Sequence, residues 1–369
     1  MITGKHALKQ RSAVLLPPKI CCVYEHQKED TMDYNQVLTE ARKHIGPNCK
    51  ACPVCNGLAC GNTMPGPGSK APGNGAHENW KAWQQIKLNM DCIAPADAVD
   101  TSLDFLGMHL DFPLITGPIG STKWHYTLES DVRDFNRDVA AAAVNLGFAG
   151  SFGDGIEPDV YTDSLRHSAD FGGISMPILN PNSDDEIKEK IALANEAGVF
   201  ALGVVIDSAG LPHLRQKGTS AGAKTVEQLR DLKACSKVPF VIKGVMSAKT
   251  ALKAVEAGAD AIIVSNHGGR VLPFTPSTAE VLPEIADAVK GQTKIIVDGG
   301  IRTGIDMFRA LALGADAVML CRPILVSWFG GGQQGIEVLV NKLKAELNDT
   351  MYMCSARKLS DINRDMIRF

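Results

Sequence analysis

The chain has 369 residues, a hydrophobic fraction of 45% and a formal net charge of −3, as expected for an ordinary globular protein with one large core. The near-neutral charge and the lack of long basic runs argue against a nucleic-acid partner. No apolar stretch approaches the roughly 18 residues that a membrane-spanning helix needs, so no membrane span is expected.

The first segment, residues 1–31, is interpreted as an upstream extension. Its apolar pair Leu15-Leu16 is interrupted by Pro17-Pro18, so a secretory signal is not expected there.

The second segment, residues 32–111, is predicted to be an arm laid against the rest of the protein. It should begin with a helix at Tyr34–His44. Gly61–Gly75 is rich in glycine and proline and has little periodicity, which is typical of an irregular chain.

A cluster of cysteines lies in this arm. Four of the ten cysteines, Cys49, Cys52, Cys55 and Cys60, fall within twelve residues. A disulfide scaffold does not suit a protein of this size, so we expect a reducing cytoplasm. The spacing approaches that of iron–sulfur ligand runs, although the last interval is one residue longer than in bacterial ferredoxins. Zinc and free reduced thiols are the other two interpretations that stay open.

From residue 112 to 369 the chain alternates between strand and helix eight times, which is the count of a (β/α)₈ TIM barrel. An open doubly wound sheet is the alternative, but it usually has fewer units. Each predicted strand is a short apolar run, as expected for parallel strands covered on both faces. The predicted strands are Phe112–Ile119, Phe148–Ser151, Met176–Asn180, Ala201–Asp207, Pro239–Val245, Ala261–Ser265, Lys294–Asp298 and Ala317–Leu320.

Amphipathic helices are predicted between the strands, and several precede a glycine that is typical of a helix C-terminus. Three of them are Asp184–Ala197, Thr250–Ala257 and Ile305–Leu313, followed by Gly198, Gly258 and Gly314.

Three consecutive predicted strands end in polar or glycine-rich turns. The first turn, Ser265–Arg270, carries an imidazole and a guanidinium three residues apart. The second is Asp298–Arg302, and the third is Cys321-Arg322-Pro323. Because a parallel barrel has its active site at the carboxyl ends of its strands, we expect these turns to meet at one site.

These turns, together with Val241-Ile242-Lys243-Gly244, resemble the FMN-dependent α-hydroxy acid oxidase and dehydrogenase family, which includes glycolate oxidase and lactate oxidase. The resemblance is strongest over residues 236–325 and weaker over 112–235, and no family pattern is seen before residue 100. Four motifs in the same order are highly specific, whereas any one of them alone would be weak.

The resemblance implies FMN as cofactor and a role for each matching residue. His267 matches the active-site base, Arg270 the carboxylate-binding arginine and Asp207 the aspartate that orients the histidine. Lys243 matches the lysine near the flavin N1/O2 edge. The remaining residues of the implied cofactor site are Gly117, Pro118, Ile119 and Ser151 near the isoalloxazine, Ser265, and Asp298, Gly299, Gly300, Ile301, Arg302, Cys321 and Arg322 in the phosphate turns.

The substrate clamp departs from the family pattern. The third strand ends in Leu179-Asn180 where a tyrosine is usual, and no counterpart of the arm tyrosine is found. The usual second arginine is missing from its place after Asp207, with His213 and Arg215 as nearby candidates. Cys321 stands where a glycine is usual.

We therefore predict a cytoplasmic FMN enzyme that oxidises a small 2-hydroxy acid to a 2-oxo acid, with oxygen or a redox protein as electron acceptor. A homo-oligomer is expected. The alternatives are an isomerase of the type 2 isopentenyl diphosphate kind and a non-catalytic electron-transfer flavoprotein. A metal cluster in the arm could carry electrons from the flavin to a protein acceptor.

Overall fold

A computed structural model describes residues 32–157, 159–211, 214 and 220–369. The upstream extension predicted at residues 1–31 lies outside the described residues, as do the candidate residues His213 and Arg215.

The arm contains two helices. Helix α1 spans Tyr34–His44, which confirms the predicted bounds, and it begins at Asp33 in a capping box with Gln36. Helix α2 spans Gly75–Gln85, begins at Asn74 and was not predicted. The chain between the two helices has turns and bends but no regular element.

Eight parallel strands form the barrel, as predicted. They are β1 Leu114–Thr116, β2 Gly150–Gly153, β3 Ser175–Leu179, β4 Leu202–Val205, β5 Phe240–Val245, β6 Ala261–Val264, β7 Lys294–Val297 and β8 Ala317–Leu320. Strand β8 pairs with β1, and a bridge between Ile115 and Ala149 brings β1 to the start of β2, so the sheet closes on itself.

Side chains of the strands alternate between two hydrophobic layers. In β6, Ala261 and Ile263 face the barrel interior, whereas Ile262 and Val264 pack toward the helices. Both faces are therefore buried, which explains why the strands appear in the sequence as continuous apolar runs.

Helices follow the strands around the barrel, and most begin at a serine, threonine or aspartate whose side chain accepts a backbone N–H. They are α3 Val132–Leu146, α4 Val160–Asp170, α5 Asp184–Ala197, α6 Val226–Cys235, α7 Ala248–Glu256, α8 Thr278–Val289, α9 Gly304–Ala312 and α10 Arg322–Met353. Non-helical backbone at Gly331 and Gly332 divides α10 into two parts.

Smaller elements complete the barrel. The antiparallel hairpin Leu103–Phe105 and Met108–Leu110 packs Phe105 and Leu110 into the barrel interior. Lys87–Leu88, after α2, pairs with Ile367–Arg368 at the C-terminus. The described residues include four 3₁₀ turns, at Ile206–Gly210, His267–Gly269, Leu359–Asp361 and Arg364–Met366. No helix in the described part of the chain is both long and apolar enough to cross a membrane.

The packing of α9 on α10 provides a stability test. A Cβ atom at Gly304 would lie 2.3 Å from the backbone nitrogen of Leu347, so Gly304→Ala must push the two helices apart. We expect a loss of about 1–3 kcal/mol in the free energy of unfolding, measured by urea titration. Gly222→Ala is the control, because a Cβ there meets nothing within 4 Å and should change stability little. Equal stability of both variants would contradict this account of the packing.

Candidate active site

A cavity opens where the carboxyl ends of the barrel strands meet, and it gathers most of the predicted site residues. Those that line it are Gly117, Pro118, Ile119, Lys243, His267, Arg270, Asp298, Gly299, Gly300, Ile301, Arg302, Cys321 and Arg322. Asp207, Ser151 and Ser265 are not part of this lining, although Asp207 and Ser265 contact residues that are.

His267 and Asp207 form a hydrogen-bonded pair across two turns. Asp207 belongs to the 3₁₀ turn after β4. Its Oδ1 atom lies 3.0 Å from the Nδ1 atom of His267. Burial alone would raise the pKa of Asp207, but the His267 ring and the Lys243 ammonium hold it below its usual value. The carboxylate is therefore charged at neutral pH and fixes the orientation of the imidazole.

The backbone makes room for this pair. His267 has a φ of 56°, a left-handed conformation that histidine adopts more readily than most residues. Gly244 has a φ of 101° at a register shift between β5 and β6, and a Cβ there would lie 2.7 Å from Cγ of Asp207. The glycine after Lys243 is thus required for the aspartate to reach the histidine.

Lys243 is a buried cation, with only 4% of its surface exposed. Its Nζ atom donates to Oγ of Ser265 at 2.6 Å and lies 2.9 Å from Oδ2 of Asp298. Burial would lower the pKa of Lys243, but the carboxylates of Asp298 and Asp207 raise it above its usual value. Ser265 also accepts the backbone N–H of His267 at 3.1 Å, so it links the lysine to the histidine turn.

Arg270 contacts the arm in this structure. Its Nη1 atom donates to the carbonyl oxygens of Gly66 at 2.7 Å and Gly68 at 2.8 Å. Its Nη2 atom lies 3.5 Å from Nε2 of His125. One side of the guanidinium is therefore fixed by the arm, while the residue still lines the cavity.

The turns after β7 and β8 form a cationic cradle. Gly299 and Gly300 have φ values of 87° and 84°, and a Cβ at Gly300 would lie 2.5 Å from the carbonyl of Asn79. Arg302 donates from Nε to the Cys55 carbonyl at 2.7 Å, while its buried Nη2 has no partner among the described residues. Arg322 donates to the Pro67 carbonyl at 3.2 Å. An unsatisfied buried guanidinium nitrogen beside a glycine turn fits a phosphate group.

Two predicted cofactor residues are held in the barrel wall. The Ser151 hydroxyl donates to the backbone carbonyl of Thr116, and its N–H donates to the Thr116 hydroxyl at 2.9 Å, so Ser151 pins β2 to β1. Cys321 precedes α10, and a Cβ at Gly117 would lie 2.5 Å from Cβ of Cys321. Gly117 therefore allows the close approach of β1 and β8 at the cavity.

The four arm cysteines are half-buried and unbonded. Burial raises the pKa of Cys49 to about 11, and charge on the other three thiols adds to the rise. Burial also opposes ionisation of Cys55, but Arg302 and Arg322 hold its pKa below the usual value. In the described part of the chain, no three His, Cys, Asp or Glu side chains are placed to hold one metal ion together.

Several residues that line the cavity or hold its turns were not predicted. Asn79 and Asn266 exchange side-chain amide hydrogen bonds at 2.7 and 3.0 Å, and Trp83 donates to the Gly299 carbonyl at 2.8 Å. Helix α2 thus holds both the turn after β6, which carries His267, and the turn after β7, which carries Gly299. His125 and Tyr126 line the cavity from the loop after β1. The available sequence signal for α2 was the presence of Asn79 and Trp83 in an otherwise polar segment, which indicates side chains that contact the rest of the protein.

At the end of β3, where the family pattern has a tyrosine, Asn180 belongs to a polar network. Its Nδ2 donates to Oδ1 of Asp154 at 2.6 Å, and the other carboxylate oxygen pairs with Lys190 at 2.6 Å. Beside this network, the cavity wall is apolar and includes Ile178, Val205, Leu211 and Leu214.

The barrel, the buried lysine and the cationic cradle together define a flavin-binding (β/α)₈ barrel protein. A sequence profile of the FMN-dependent dehydrogenase family matches residues 68–219 and 213–369. The chain therefore belongs to this family: it is an FMN-dependent oxidoreductase that acts on CH–OH groups. The match begins at residue 68, so the expectation that no family pattern precedes residue 100 is wrong.

Similar proteins agree with this assignment. The chain is 30% identical over 324 residues to a peroxisomal (S)-2-hydroxyacid oxidase of Arabidopsis thaliana, covering 79% of this chain and 87% of that protein. It is 29% identical over 334 residues to an L-lactate oxidase of Nostoc sp., covering 79% and 88%. A solved mandelate oxidase variant aligns with a TM-score of 0.75 at 25% identity, covering 91% and 97%. A flavocytochrome b2 variant with pyruvate bound aligns with a TM-score of 0.72 at 26% identity, covering 82% and 80%.

The cradle makes a prediction about the cofactor. The purified protein should release FMN and no FAD on denaturation, as measured by liquid chromatography, because no second site for an adenylate is visible in the sequence. Arg302→Ala should weaken FMN binding about 10–100-fold, the loss expected for a hydrogen bond to a charged group. Arg230→Ala, on exposed α6, is the control. Recovery of FAD, or equal FMN affinity in both variants, would count against this cradle.

Proposed function

We propose that the protein oxidises a small 2-hydroxy acid to the corresponding 2-oxo acid at this cavity. The observation that carries the proposal is the placement of His267, oriented by Asp207, in the same cavity as Arg270 and the buried Lys243. A base, a carboxylate-binding group and a fixed cation are the three elements that this reaction needs.

His267 is the proposed base that takes the hydroxyl or α proton of the substrate. Asp207 accepts a hydrogen bond from Nδ1, which leaves Nε2 as the nitrogen that can take a proton. As the imidazole takes up the substrate proton and becomes charged, the adjacent carboxylate of Asp207 stabilises it.

Arg270 is the proposed anchor for the substrate carboxylate. Arm carbonyls hold its Nη1 atom, and this contact fixes the plane of the guanidinium while its other edge faces His125. A pre-oriented guanidinium binds a carboxylate with less loss of side-chain entropy than a free one.

Lys243 is proposed to lie at the polar edge of the flavin ring. The bound FMN supplies the two-electron acceptor, and a charged lysine nearby favours the reduced ring electrostatically. Its contacts with Asp298 and Ser265 keep the ammonium in place without further rearrangement.

The names of the similar proteins favour this proposal over the isomerase and non-catalytic alternatives, because the similar proteins include a 2-hydroxyacid oxidase and an L-lactate oxidase. Oxygen and a redox protein are both proposed as electron acceptor. The name of the Arabidopsis relative places that protein in the peroxisome. For this chain, a cytoplasmic location and a homo-oligomeric state stay predictions.

Loss of the base should stop flavin reduction. His267→Ala should slow anaerobic flavin bleaching by glycolate, lactate or mandelate about 10²–10⁴-fold and leave FMN bound. Stopped-flow absorbance gives the rate, and flavin content gives the occupancy. His109→Ala is the control, since His109 lies exposed in the hairpin and pairs with Asp104. Bleaching at the wild-type rate in the His267 variant would falsify the role of base.

Substitution of the anchor should be harmful even when the charge is kept. Arg270→Lys should lower kcat/KM about 10–100-fold on every accepted hydroxy acid, because an ammonium cannot reproduce the two parallel bonds of a guanidinium. The lysine variant should also lose one of the two hydrogen bonds that Arg270 donates to the carbonyls of Gly66 and Gly68. Arg364→Lys, on the exposed pair with Asp287, is the control. A near-native kcat/KM would show that the carboxylate is bound elsewhere.

A further inference from the structure

The segment Cys49–Cys60, here called the cysteine loop, exposes its large apolar side chains to solvent. Val54 and Leu58 are 56% and 58% exposed, whereas the four thiols are half-buried. The loop contains no helix or strand, and Ala51 is its one buried hydrophobic side chain among the described residues. Hydrophobic burial therefore does little to hold this loop together.

The backbone of the loop is nevertheless fixed from three sides. Arg42 of α1 donates to the Ala51 carbonyl at 3.0 Å, and Arg302, in the turn after β7, donates to the Cys55 carbonyl at 2.7 Å. From α2, Asn74 donates to the Gly57 carbonyl at 3.1 Å, and His77 lies 3.0 Å from the Asn56 carbonyl. The four thiols of this fixed loop lie within electrostatic reach of one another.

Four thiols in a loop without its own core indicate that a metal site holds the loop, because small irregular segments are usually held by a disulfide or a metal. The thiols are free, so disulfides do not hold the loop. In a zinc site all four sulfurs bind one ion, but no three described ligand side chains meet around one position. In a cubane cluster each thiolate binds a different iron, so the four sulfurs surround one cluster but stand farther apart than around a single ion.

We propose that Cys49, Cys52, Cys55 and Cys60 bind an iron–sulfur cluster of the four-iron type, and that this cluster takes electrons from the flavin one at a time.

The charges around the loop suit this occupant. A cluster with four thiolate ligands is an anion, and the guanidinium groups of Arg42 and Arg302 donate hydrogen bonds to carbonyls of the cysteine loop itself. Positive charge stabilises such a cluster and favours its reduced form.

The position also suits an electron relay, and this half of the inference rests on the proposed function. Arg302 donates to the cysteine loop and belongs to the cradle at the phosphate end of the FMN site, so loop and cofactor share a boundary. Each substrate oxidised releases two electrons and two protons. The electrons leave singly through the cluster to a one-electron carrier protein, and the protons leave to solvent.

Analysis of the protein purified without oxygen tests the cluster itself. We expect about four irons and four acid-labile sulfides per FMN, and an electron paramagnetic resonance signal after reduction with dithionite. One zinc per chain without sulfide, or free thiols without metal after reconstitution with iron and sulfide, would overturn the proposal.

Matched variants identify the ligands. Cys55→Ser and Cys52→Ser should lose most of the iron and the resonance signal. Cys235→Ser, an exposed cysteine at the end of α6, should keep both. Circular dichroism and FMN content show whether each variant is folded. If a variant does not fold, the iron and sulfide analysis of the unmodified protein still tests the proposal. If Cys55→Ser and Cys52→Ser are folded and keep all of their iron, other residues bind the iron and the proposed ligands are wrong.

Photoreduction separates the relay from the proposed function. Light and a sacrificial donor reduce bound FMN without any hydroxy acid, and the signal of the reduced cluster should follow flavin bleaching. A fully reduced flavin beside a cluster that stays oxidised, yet is reduced by dithionite, would refute the relay. If hydroxy acids fail to bleach the flavin while photoreduction still fills the cluster, the proposed substrate is wrong and the relay stands.

Discussion

The active site depends on the buried ammonium group of Lys243. A charge with so little access to water is stable only if the protein supplies compensating partners, and here Asp298 and Ser265 provide them directly. Asp207 adds a second carboxylate within electrostatic range and at the same time holds His267. One constraint, the neutralisation of a cation in the barrel interior, therefore positions residues from β4 to β7.

The arm is as much a part of the site as the barrel. Helix α2 reaches the histidine turn through Asn79 and the phosphate turn through Trp83. Before α2 in the chain, the carbonyls of Gly66 and Gly68 accept hydrogen bonds from Arg270. These are mostly backbone and amide contacts, which fix position without adding charge to the cavity. The arm thus works as a second wall of the active site.

Much of this architecture could be predicted, because barrel strands are buried on both faces and show as apolar runs. The turns after β6, β7 and β8 were found for the same reason, since each follows such a run directly. Helix α2 was missed because its contacts use Asn79 and Trp83 rather than a continuous apolar face. The contact of Ser151 with Thr116 depends on which way one hydroxyl points, and no sequence pattern specifies that. Arg270 shows the same limit, because its arm partners lie about two hundred residues away in the chain.

Gly268, between the histidine and the arginine of the substrate turn, has a wider consequence. A Cβ added there would lie 2.6 Å from Nη2 of Arg322, a residue of the phosphate cradle. The turn that carries the proposed base and the proposed carboxylate anchor therefore leaves no room for a side chain between itself and Arg322, which is proposed to bind the cofactor phosphate. With the proposed roles, redesign of this turn to widen substrate scope would alter flavin affinity as well, so directed evolution of this enzyme would have to select for both properties together.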